Sequence, residues 1–208
     1  DLIDEGCTAT DQEFLEYKNA LQLSLLCVIH FQERFQSIFY VPDGIHTIYL
    51  AGDNDVCGEG PDILTSHNVE RFTKYFGPVN DVINIKSYQF VKINTVSFLR
   101  FSPPAYKEEK PTYDSTLSFF RDISSHLRDG STVILLAHVP LPYLPSNLYD
   151  KFLSKLKPKV SLAGHLHKDI QVYHNPKKSG DATFWEYVIP TCSYRMGTKQ
   201  IGAGVLII

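Results

Sequence analysis

Four short stretches of the chain combine carboxylate and imidazole side chains in a way that suits a metal centre. They are Asp1-Leu2-Ile3-Asp4-Glu5-Gly6, Gly52-Asp53-Asn54-Asp55, Ala137-His138-Val139-Pro140 and Gly164-His165-Leu166-His167. All four offer oxygen or imidazole ligands and none offers a thiolate, and this mixture suits Mn, Fe or Zn at a hydrolytic centre. Small residues beside the acids and histidines let the backbone approach an ion closely.

The spacing of these residues predicts that they meet in one place. His165 and His167 are two positions apart, so they would share a face on a strand and could reach two ions from a tight loop. Asp53, His138 and His165 each follow directly on a predicted strand, and sites in open α/β sheets collect at the carboxyl ends of strands. We therefore expect these residues and Asp1 to converge in one pocket.

Hydrophobic periodicity and turn residues predict the elements that position these side chains. Helices are expected from a capping box at Thr10 and Glu13 to about residue 35, over 68–76 with a stop at Gly77, from Asp114 to before Gly130, and over 150–156. Strands are expected at 45–50, 82–85, 90–96, 132–137, 160–163, 170–173, 184–189 and 204–208, and the Pro-rich stretch 102–111 is expected to be loop. Helices alternate with strands at first and strands dominate later, which predicts a layered α/β sandwich.

The bulk properties of the chain limit its fold and function. Its 208 residues predict one domain over 1–208, and 43% hydrophobic with 21% charged residues is typical of a globular protein with a core. The net charge of −3 argues against a nucleic-acid-binding face. No apolar run reaches the roughly 18 residues that a membrane span needs. The absence of an initial Met or signal peptide predicts that this segment belongs to a longer protein.

The cysteines Cys7, Cys27, Cys57 and Cys192 include no Cys-x-x-Cys pair, which argues against a structural zinc site. They are expected to be either buried apolar residues or two disulfides. The spacing of the cysteines leaves both alternatives open.

The order of the motifs resembles that of the calcineurin-like metallophosphoesterases. This family has the pattern D-x-H, G-D-x-x-D, G-N-H-[DE], G-H and G-H-x-H, each after a strand. Stretch 1–4 is similar to the second motif without its Gly, 52–55 stands where G-N-H-[DE] belongs, 137–138 takes the place of G-H, and 164–167 has the form G-H-x-H. The resemblance implies a four-layer α/β/β/α metallophosphoesterase sandwich, truncated at the N-terminus because the D-x-H motif would lie upstream of Asp1.

The resemblance also implies roles for individual residues. Asp1 would bridge two divalent ions, Asp53 would replace a metal-binding Asn, His138 and His165 would bind one ion, and His167 would bind the other. Asp4 would orient the site from outside the ligand shell. Two ions about 3.5–4 Å apart would clamp the phosphoryl oxygens and lower the pKa of a bridging water that attacks in line. Mn is the first expectation for both ions, with Fe or Zn as alternatives, and without the D-x-H segment this chain is expected to lack most ligands of one ion.

The third motif departs from the family pattern at two positions. Asp53 stands in place of Asn, and its extra negative charge would tighten binding of a hard cation. Asn54 stands in place of the His that would protonate the leaving group, and an Asn side chain cannot deliver a proton. We predict that His67 supplies this proton, because an imidazole with an ordinary pKa near 6.5 suits the task.

The chain resembles, more narrowly, the eukaryotic branch that removes ethanolamine phosphate from glycosylphosphatidylinositol (GPI) anchors, which includes a cell-division-control protein. The resemblance rests on Asp4-Glu5-Gly6, Val69-Glu70-Arg71-Phe72 and Ser193-Tyr194-Arg195-Met196-Gly197. It implies that the substrate is a GPI glycolipid or GPI-anchored protein. It also implies a membrane enzyme of the endoplasmic reticulum or Golgi, attached through spans outside this segment and without a nucleic-acid partner.

Two other functions stay open at this point. The domain could be a scaffold that has lost catalysis, as in a retromer subunit with this fold, and Asn54 favours that alternative. It could also be a phosphodiesterase for a soluble nucleotide. Taken singly, each histidine could be a loop residue, Asp53 and Asp55 could stabilise a turn, and Arg195 could form a plain salt bridge instead of binding phosphate. The joint order of the candidate ligands favours a metal centre.

Overall fold

The computed structural model describes residues 7–13, 41–99, 106–175, 183–192, 198–199 and 201–208. These residues form one mixed sheet of six strands in the order β1-β2-β3-β4-β6-β5. The strands are β1 (Asp81–Ile85), β2 (Tyr88–Ile93), β3 (Thr132–Ala137), β4 (Val160–Ala163), β5 (Ile170–His174) and β6 (Phe184–Val188). The predicted α/β fold class is confirmed.

Helices flank this sheet in the part of the chain that is described. They are α1 (Asp53–Val56), α2 (Ser66–Phe76), α3 (Lys110–Asp122) and α4 (Ser146–Leu156), with 3-10 turns at Thr95–Phe98, Ile123–Ser125 and Leu141–Tyr143. Residues 11–13 are also helical. No helix among the described residues combines the length and the apolar character that crossing a bilayer requires.

The centre of the sheet is parallel. Strands β2, β3, β4 and β6 run in one direction, and β1 and β5 pair antiparallel with β2 and β6. Ile93 at the end of β2 pairs with Ala137 at the end of β3, and Leu136 pairs with Leu162. The chain therefore leaves three neighbouring strands at the same edge of the sheet, which is where β3 and β4 lead into the predicted histidine motifs.

Two apolar clusters support this edge. The larger cluster packs α3 and α4 against the sheet; its fully buried members include Val91, Ile93, Leu135, Leu141, Phe98, Phe120 and Phe152. The smaller cluster joins α1 and α2 to the loops beside β2 and β3; its members are Ala51, Val56, Leu64, Phe72, Val79, Val96 and Val139. Burial of this apolar surface is the main favourable contribution to folding. It also holds the segments that carry Asp53 and His138 in place.

Local sequence signals located some helix starts and stops, whereas α4 begins at Ser146, four residues before the predicted start at 150. The capping box is confirmed, because Thr10 Oγ1 accepts from Glu13 N (3.2 Å) and Glu13 Oε2 accepts from Thr10 N (2.8 Å). The rest of the helix predicted after it lies outside the described residues. Helix α2 begins slightly earlier than predicted, because Thr65 Oγ1 accepts from Asn68 N, and it ends as predicted at Gly77, whose φ is 86°.

Two predicted strands are wrong. Residues 45–50 and 204–208 do not belong to a ladder among the described residues. Both segments are exposed, with Ile45 at 59% and Ile207 at 92% of their full exposure. β propensity describes side chains that fit a half-buried pleated surface, and these segments lack that burial. Asp53 consequently does not follow a strand, contrary to the prediction; it is the first residue of α1.

The start and end of α3 also differ from the prediction. The helix starts at Lys110, inside the stretch predicted to be loop, because Pro111 falls in the first turn, where no N–H is needed. Asp114, predicted to cap the helix, lies within it and pairs with Lys110. The helix ends at Asp122 and passes into a 3-10 turn well before Gly130. Strand β2 was predicted over 90–96 but ends at Ile93, because a 3-10 turn begins at Thr95.

Candidate metal centre

Asp53 is held at the start of α1 by short local contacts. The Asp55 carboxylate accepts from Gly52 N (2.9 Å) and so caps the first turn. Asp55 is fully buried, and Asp53 is only 7% exposed. The side chain of Asp53 is therefore fixed by a buried turn and not by a strand end.

His138 and His165 reach the same oxygen of Asp53 from two different strands. His138 directly follows β3, and its Nε2 donates to Asp53 Oδ1 at 2.7 Å. His165 follows β4 after a single glycine, and its Nδ1 donates to the same Oδ1 at 3.0 Å. Both imidazoles are largely buried, with 7% and 11% of their side chains exposed. One carboxylate thus joins residues that are 85 and 112 positions away in the chain.

These three side chains form a compact donor cluster. One ligand atom from each of Asp53, His138 and His165 lies within 4.8 Å of the others, and the centroids of the two imidazole rings are 5.3 Å apart. Donor atoms bound to one ion, with bonds of about 2.0–2.2 Å, would lie at a similar mutual spacing. The predicted convergence is confirmed for these three residues, whereas Asp1 lies outside the described residues.

The 164–167 loop has two histidines in the left-handed region of the backbone. His165 has φ 67° and His167 has φ 56°, a region that side-chain-bearing residues rarely adopt and that costs about 1–3 kcal/mol per residue. The loop also packs tightly against its neighbour, because Gly164 N donates to His138 O at 2.9 Å. The surrounding contacts therefore hold both histidines in an unfavourable backbone conformation.

The charges of the cluster follow from burial and from these hydrogen bonds. Burial alone would raise the pKa of Asp53, but hydrogen bonds from His138, His165 and Glu59 together bring it below its ordinary value. Burial lowers the pKa of His138. The hydrogen bond to Asp53 raises the pKa of His165. At neutral pH the site therefore contains an ionised carboxylate, a neutral His138 and a His165 that holds its proton more firmly than a free imidazole.

Glu59 belongs to the same site and was missed by sequence reasoning. Its Oε1 lies 3.8 Å from His165 Nε2, and a hydrogen bond to Asp53 raises the pKa of its carboxyl group. The side chain is 61% exposed, so it forms the outer side of the cluster. A glutamate in a Gly-rich loop outside the recognisable motifs offers no signal that would have singled it out.

A comparison with protein-family models matches residues 1–169 to the calcineurin-like phosphoesterase family. The chain belongs to the calcineurin-like phosphoesterase family. This membership and the buried cluster support a metal-dependent phosphoester hydrolase. No curated protein matches the chain.

The donor set of this phosphoesterase fits a divalent cation. An ionised carboxylate and two imidazoles are ligands that Mn, Fe and Zn accept, and burying these groups would be costly without a partner that uses them. Both imidazoles donate to Asp53. An ion bound at these nitrogens would shift the proton of the neutral His138 to Nδ1 and would release one proton from a protonated His165. The buried residues Asp53, His138 and His165 would hold the ion.

The remaining predicted site residues have different positions. His167 lies within electrostatic range of the cluster, because burial and then the nearby His165 lower its pKa, but it is not one of the three converging residues. Asn54 accepts from Cys7 N through its backbone oxygen at 2.6 Å. His67 Nε2 lies 3.0 Å from Asp11 Oδ1, and both side chains are mostly exposed. The proposed roles of Asn54, His67 and His167 stay predictions.

A disulfide fastens an early segment of the phosphoesterase to the loop that follows Asp53. Cys7 is bonded to Cys57, the residue directly after α1, while Cys192 is free and exposed and Cys27 lies outside the described residues. Arg71 Nη1 donates to Ala9 O at 2.6 Å and strengthens the attachment. Of the two alternatives for the cysteines, a disulfide is thus correct for Cys7 and Cys57.

Proposed function

We propose that this phosphoesterase hydrolyses phosphodiesters with two divalent metal ions. The observation that carries the proposal is the buried Asp53 carboxylate, which two imidazoles from adjacent strands approach at 2.7 and 3.0 Å. Asp53, His138 and His165 would bind one ion, His167 would bind the other, and Asp1 would be a ligand of both. When bound, the ions supply Lewis-acid stabilisation of the phosphoryl oxygens and a water of lowered pKa. Mn is the proposed metal, with Fe or Zn as alternatives.

The residues of this chain would orient the reaction in three ways. The strained loop 164–167 and the α1 turn would hold the ligands at fixed spacing before substrate arrives, which reduces the reorganisation needed during the reaction. The buried walls around His138 would exclude water and strengthen electrostatic interactions. Glu59, on the exposed side of the cluster, would add negative charge that favours cations.

We propose ethanolamine phosphate on the glycan of a GPI glycolipid or GPI-anchored protein as the substrate. The support is the resemblance to the GPI-remodelling branch at 4–6, 69–72 and 193–197. The proposed location is the endoplasmic reticulum or Golgi membrane, reached through segments outside this chain. The disulfide between Cys7 and Cys57 supports a lumenal location, because disulfides persist in oxidising compartments.

The test is hydrolysis by the full-length protein. Metal-stripped protein is supplied with Mn²⁺ and a GPI glycan that carries ethanolamine phosphate, and mass spectrometry follows the loss of that group. We expect release that a chelator abolishes and that His138→Ala eliminates, while His126→Ala, at an exposed histidine, retains activity. Hydrolysis of a nucleotide phosphodiester with the GPI glycan untouched would instead support a soluble nucleotide phosphodiesterase.

A scaffold without catalytic activity is the second candidate, and Asn54 is the residue that favours it. The G-N-H-[DE] position where the family places a proton-donating His is Asn in this chain, and general-acid help is worth about 10²–10⁴-fold in rate. A full-length protein that binds metal but hydrolyses no phosphodiester would support the scaffold. Such a result would leave the metal site in place and reject the proposed reaction.

A further inference from the structure

A second buried polar network lies behind the metal centre. Its central residue is Glu186 on β6, whose side chain is fully buried. Glu186 Oε1 accepts from Leu141 N and from Ser161 Oγ, both at 3.1 Å. Its Oε2 accepts from His174 Nε2 at 3.1 Å, and the Tyr149 hydroxyl lies 2.7 Å from the other nitrogen of that imidazole. Three residues from three parts of the fold, Leu141, Ser161 and His174, thus meet at one carboxylate, and Tyr149 is linked to it through His174.

The partners of Glu186 Oε1 belong to the two segments that carry the metal-site histidines. Leu141 lies in the same loop as His138, three positions further along. Ser161 lies on β4, the strand that leads into Gly164 and His165. Glu186 Oε1 therefore connects the segment after His138 with β4, the strand that leads to His165.

The burial of this carboxylate needs a physical reason. Removing a carboxylate from water costs several kcal/mol unless hydrogen bonds compensate it, and apolar packing of similar volume is often at least as stable. The residues around Glu186 include large apolar side chains such as Leu141 and Phe184, so apolar packing alone does not explain a carboxylate at this position. What an apolar residue could not do is accept hydrogen bonds from both histidine-bearing segments at once.

We infer that Glu186 is a positioning residue that sets the spacing of His138 and His165 for metal binding. The inference rests on the proposed metal-dependent function. Residues that hydrogen-bond to metal ligands and orient them typically contribute about 10- to 100-fold in metal affinity. Glu186 acts one step further away, through the backbone of one segment and the strand of the other. The Tyr149–His174 pair holds the carboxylate on its opposite side.

Two substitutions separate the acceptor role from simple packing. Glu186→Gln keeps an oxygen that can accept from Leu141 N and Ser161 Oγ. Its amide N–H can donate to His174 Nε2 once the imidazole proton moves to Nδ1, where the Tyr149 hydroxyl can accept it. Glu186→Met has a similar volume but leaves all these donors without an acceptor. We expect Glu186→Met to weaken Mn²⁺ binding by about tenfold or more, and Glu186→Gln to stay near the wild type. Isothermal titration calorimetry of the metal-stripped full-length protein measures the affinity.

Controls distinguish positioning from a general loss of stability. Phe120→Leu truncates a buried ring that stacks on Phe152 between α3 and α4, so it should lower the unfolding temperature without changing Mn²⁺ affinity. If Glu186→Met does not fold, Ser161→Ala replaces it, because this variant removes only the link from β4 to the carboxylate. Losing this buried hydrogen bond lowers stability, so we expect Ser161→Ala to weaken Mn²⁺ binding measurably while lowering the unfolding temperature no more than Phe120→Leu does.

Hydrogen exchange in the metal-free protein provides a second measurement. Faster exchange of the backbone amides of residues 138, 139 and 141 in Glu186→Met, but not in Phe120→Leu, would support the inference. This result would count even if the wild type bound no metal. In that case the proposed function alone would fail. A folded Glu186→Met protein with wild-type Mn²⁺ affinity and unchanged exchange would overturn the inference. Equal losses of affinity in Glu186→Met and Phe120→Leu would also overturn it.

Discussion

A single carboxylate oxygen organises the metal centre. Asp53 Oδ1 accepts from both His138 and His165, so three potential ligands are already in position without an ion. Asp53 can do this because an ionised carboxylate accepts charge-assisted hydrogen bonds from imidazole N–H groups. The same carboxylate would add negative charge to a bound cation.

The affinity of the site for divalent metal should rise with pH. Metal binding displaces the proton of His165, whose pKa is raised above 6.5 by its hydrogen bond to Asp53. Below that raised pKa the affinity should fall by about tenfold per pH unit, because one proton is released. The pKa of His138 is lowered by burial, so His138 adds little above pH 6.5. Calorimetric titration of Mn²⁺ between pH 6 and 8 measures the effect.

A substitution far from the site provides the control for this pH dependence. His126→Gln removes an exposed histidine and should leave the pH profile unchanged. Affinity that does not vary between pH 6 and 8 would mean that His165 is not a ligand.

The proton for the leaving group is predicted to come from His67. Its Nε2 contacts the Asp11 carboxylate at 3.0 Å, an arrangement that can orient an imidazole. In the full-length protein, His67→Ala should lower the rate by about 10²-fold or more for a poor leaving group, and much less for an activated aryl phosphate. Steady-state kinetics with the two substrate types decides this.

A variant of Asp11, the residue that contacts His67, is the control for this prediction. Asp11→Asn keeps the imidazole and removes the neighbouring charge, so it should have a smaller effect than His67→Ala. Small, equal effects of His67→Ala on both substrates would show that His67 is an ordinary surface residue.

At the level of secondary structure, short turns between the longer helices and strands position the side chains of the site. Helix α1 has four residues and is followed by a loop with two unusual backbone positions, Cys57 at φ 66° and Gly58 at φ 117°. The loop passes beneath the 3-10 turn after β2, so that Gly58 meets Val96. This close approach places the loop that contains Glu59 beside Asp53.

Gly58 should not tolerate a side chain. A Cβ at this position would lie 2.7 Å from Val96 Cγ1, and its φ of 117° disfavours any L residue. We expect Gly58→Ala to lower the free energy of unfolding by about 3 kcal/mol or more, because strain and overpacking add. Denaturant unfolding measures the change.

Gly60 is a matched control for Gly58. It also has a positive φ, of 56°, but no atom lies within 4 Å of a Cβ placed there. Gly60→Ala should therefore cost only about 1–2 kcal/mol, from backbone strain alone. Equal costs at the two positions would show that the contact with Val96 is unimportant.

At the scale of the whole molecule, distant parts of the chain are brought together at one edge of the sheet. The disulfide joins Cys7 to Cys57 across 50 residues, and Asn68 Nδ2 donates to Cys7 O at 3.4 Å. Strands β3 and β4 lead into His138 and His165, and β6 contains Glu186. The disulfide thus attaches the N-terminal segment to the loop after α1, and the Glu186 network connects the segments that carry the two histidines.

Loss of the disulfide should destabilise the fold. We expect the double variant Cys7→Ser and Cys57→Ser to lose about 2–4 kcal/mol, because the open chain has more conformational freedom when unfolded. Denaturant unfolding under non-reducing conditions is the measurement. Cys192→Ser, at a free and exposed cysteine, should change stability by less than about 0.5 kcal/mol. A double variant as stable as Cys192→Ser would show that the bridge contributes nothing.

Sequence patterns were sufficient where the signal was local or very strong. Strands β3 and β4 have the predicted bounds, because a nearly continuous apolar run between polar turns is typical of a strand buried on both faces. The stop of α2 at Gly77 and the capping box at Thr10 and Glu13 were equally predictable, because both signals are local. The order of the motifs was enough to indicate the phosphoesterase family by resemblance, and the residue types limited which metals suit the site.

Long-range packing determined the rest of the site. Residues 45–50 have strand-like composition but no ladder among the described residues, since a strand requires a partner that composition does not reveal. Glu59 and Glu186 occur outside the recognisable motifs, and their importance depends on contacts with residues far away in the chain. The shared oxygen of Asp53 is also a property of the folded molecule. It exists because parallel strands end at one edge and a short buried turn places a carboxylate between them.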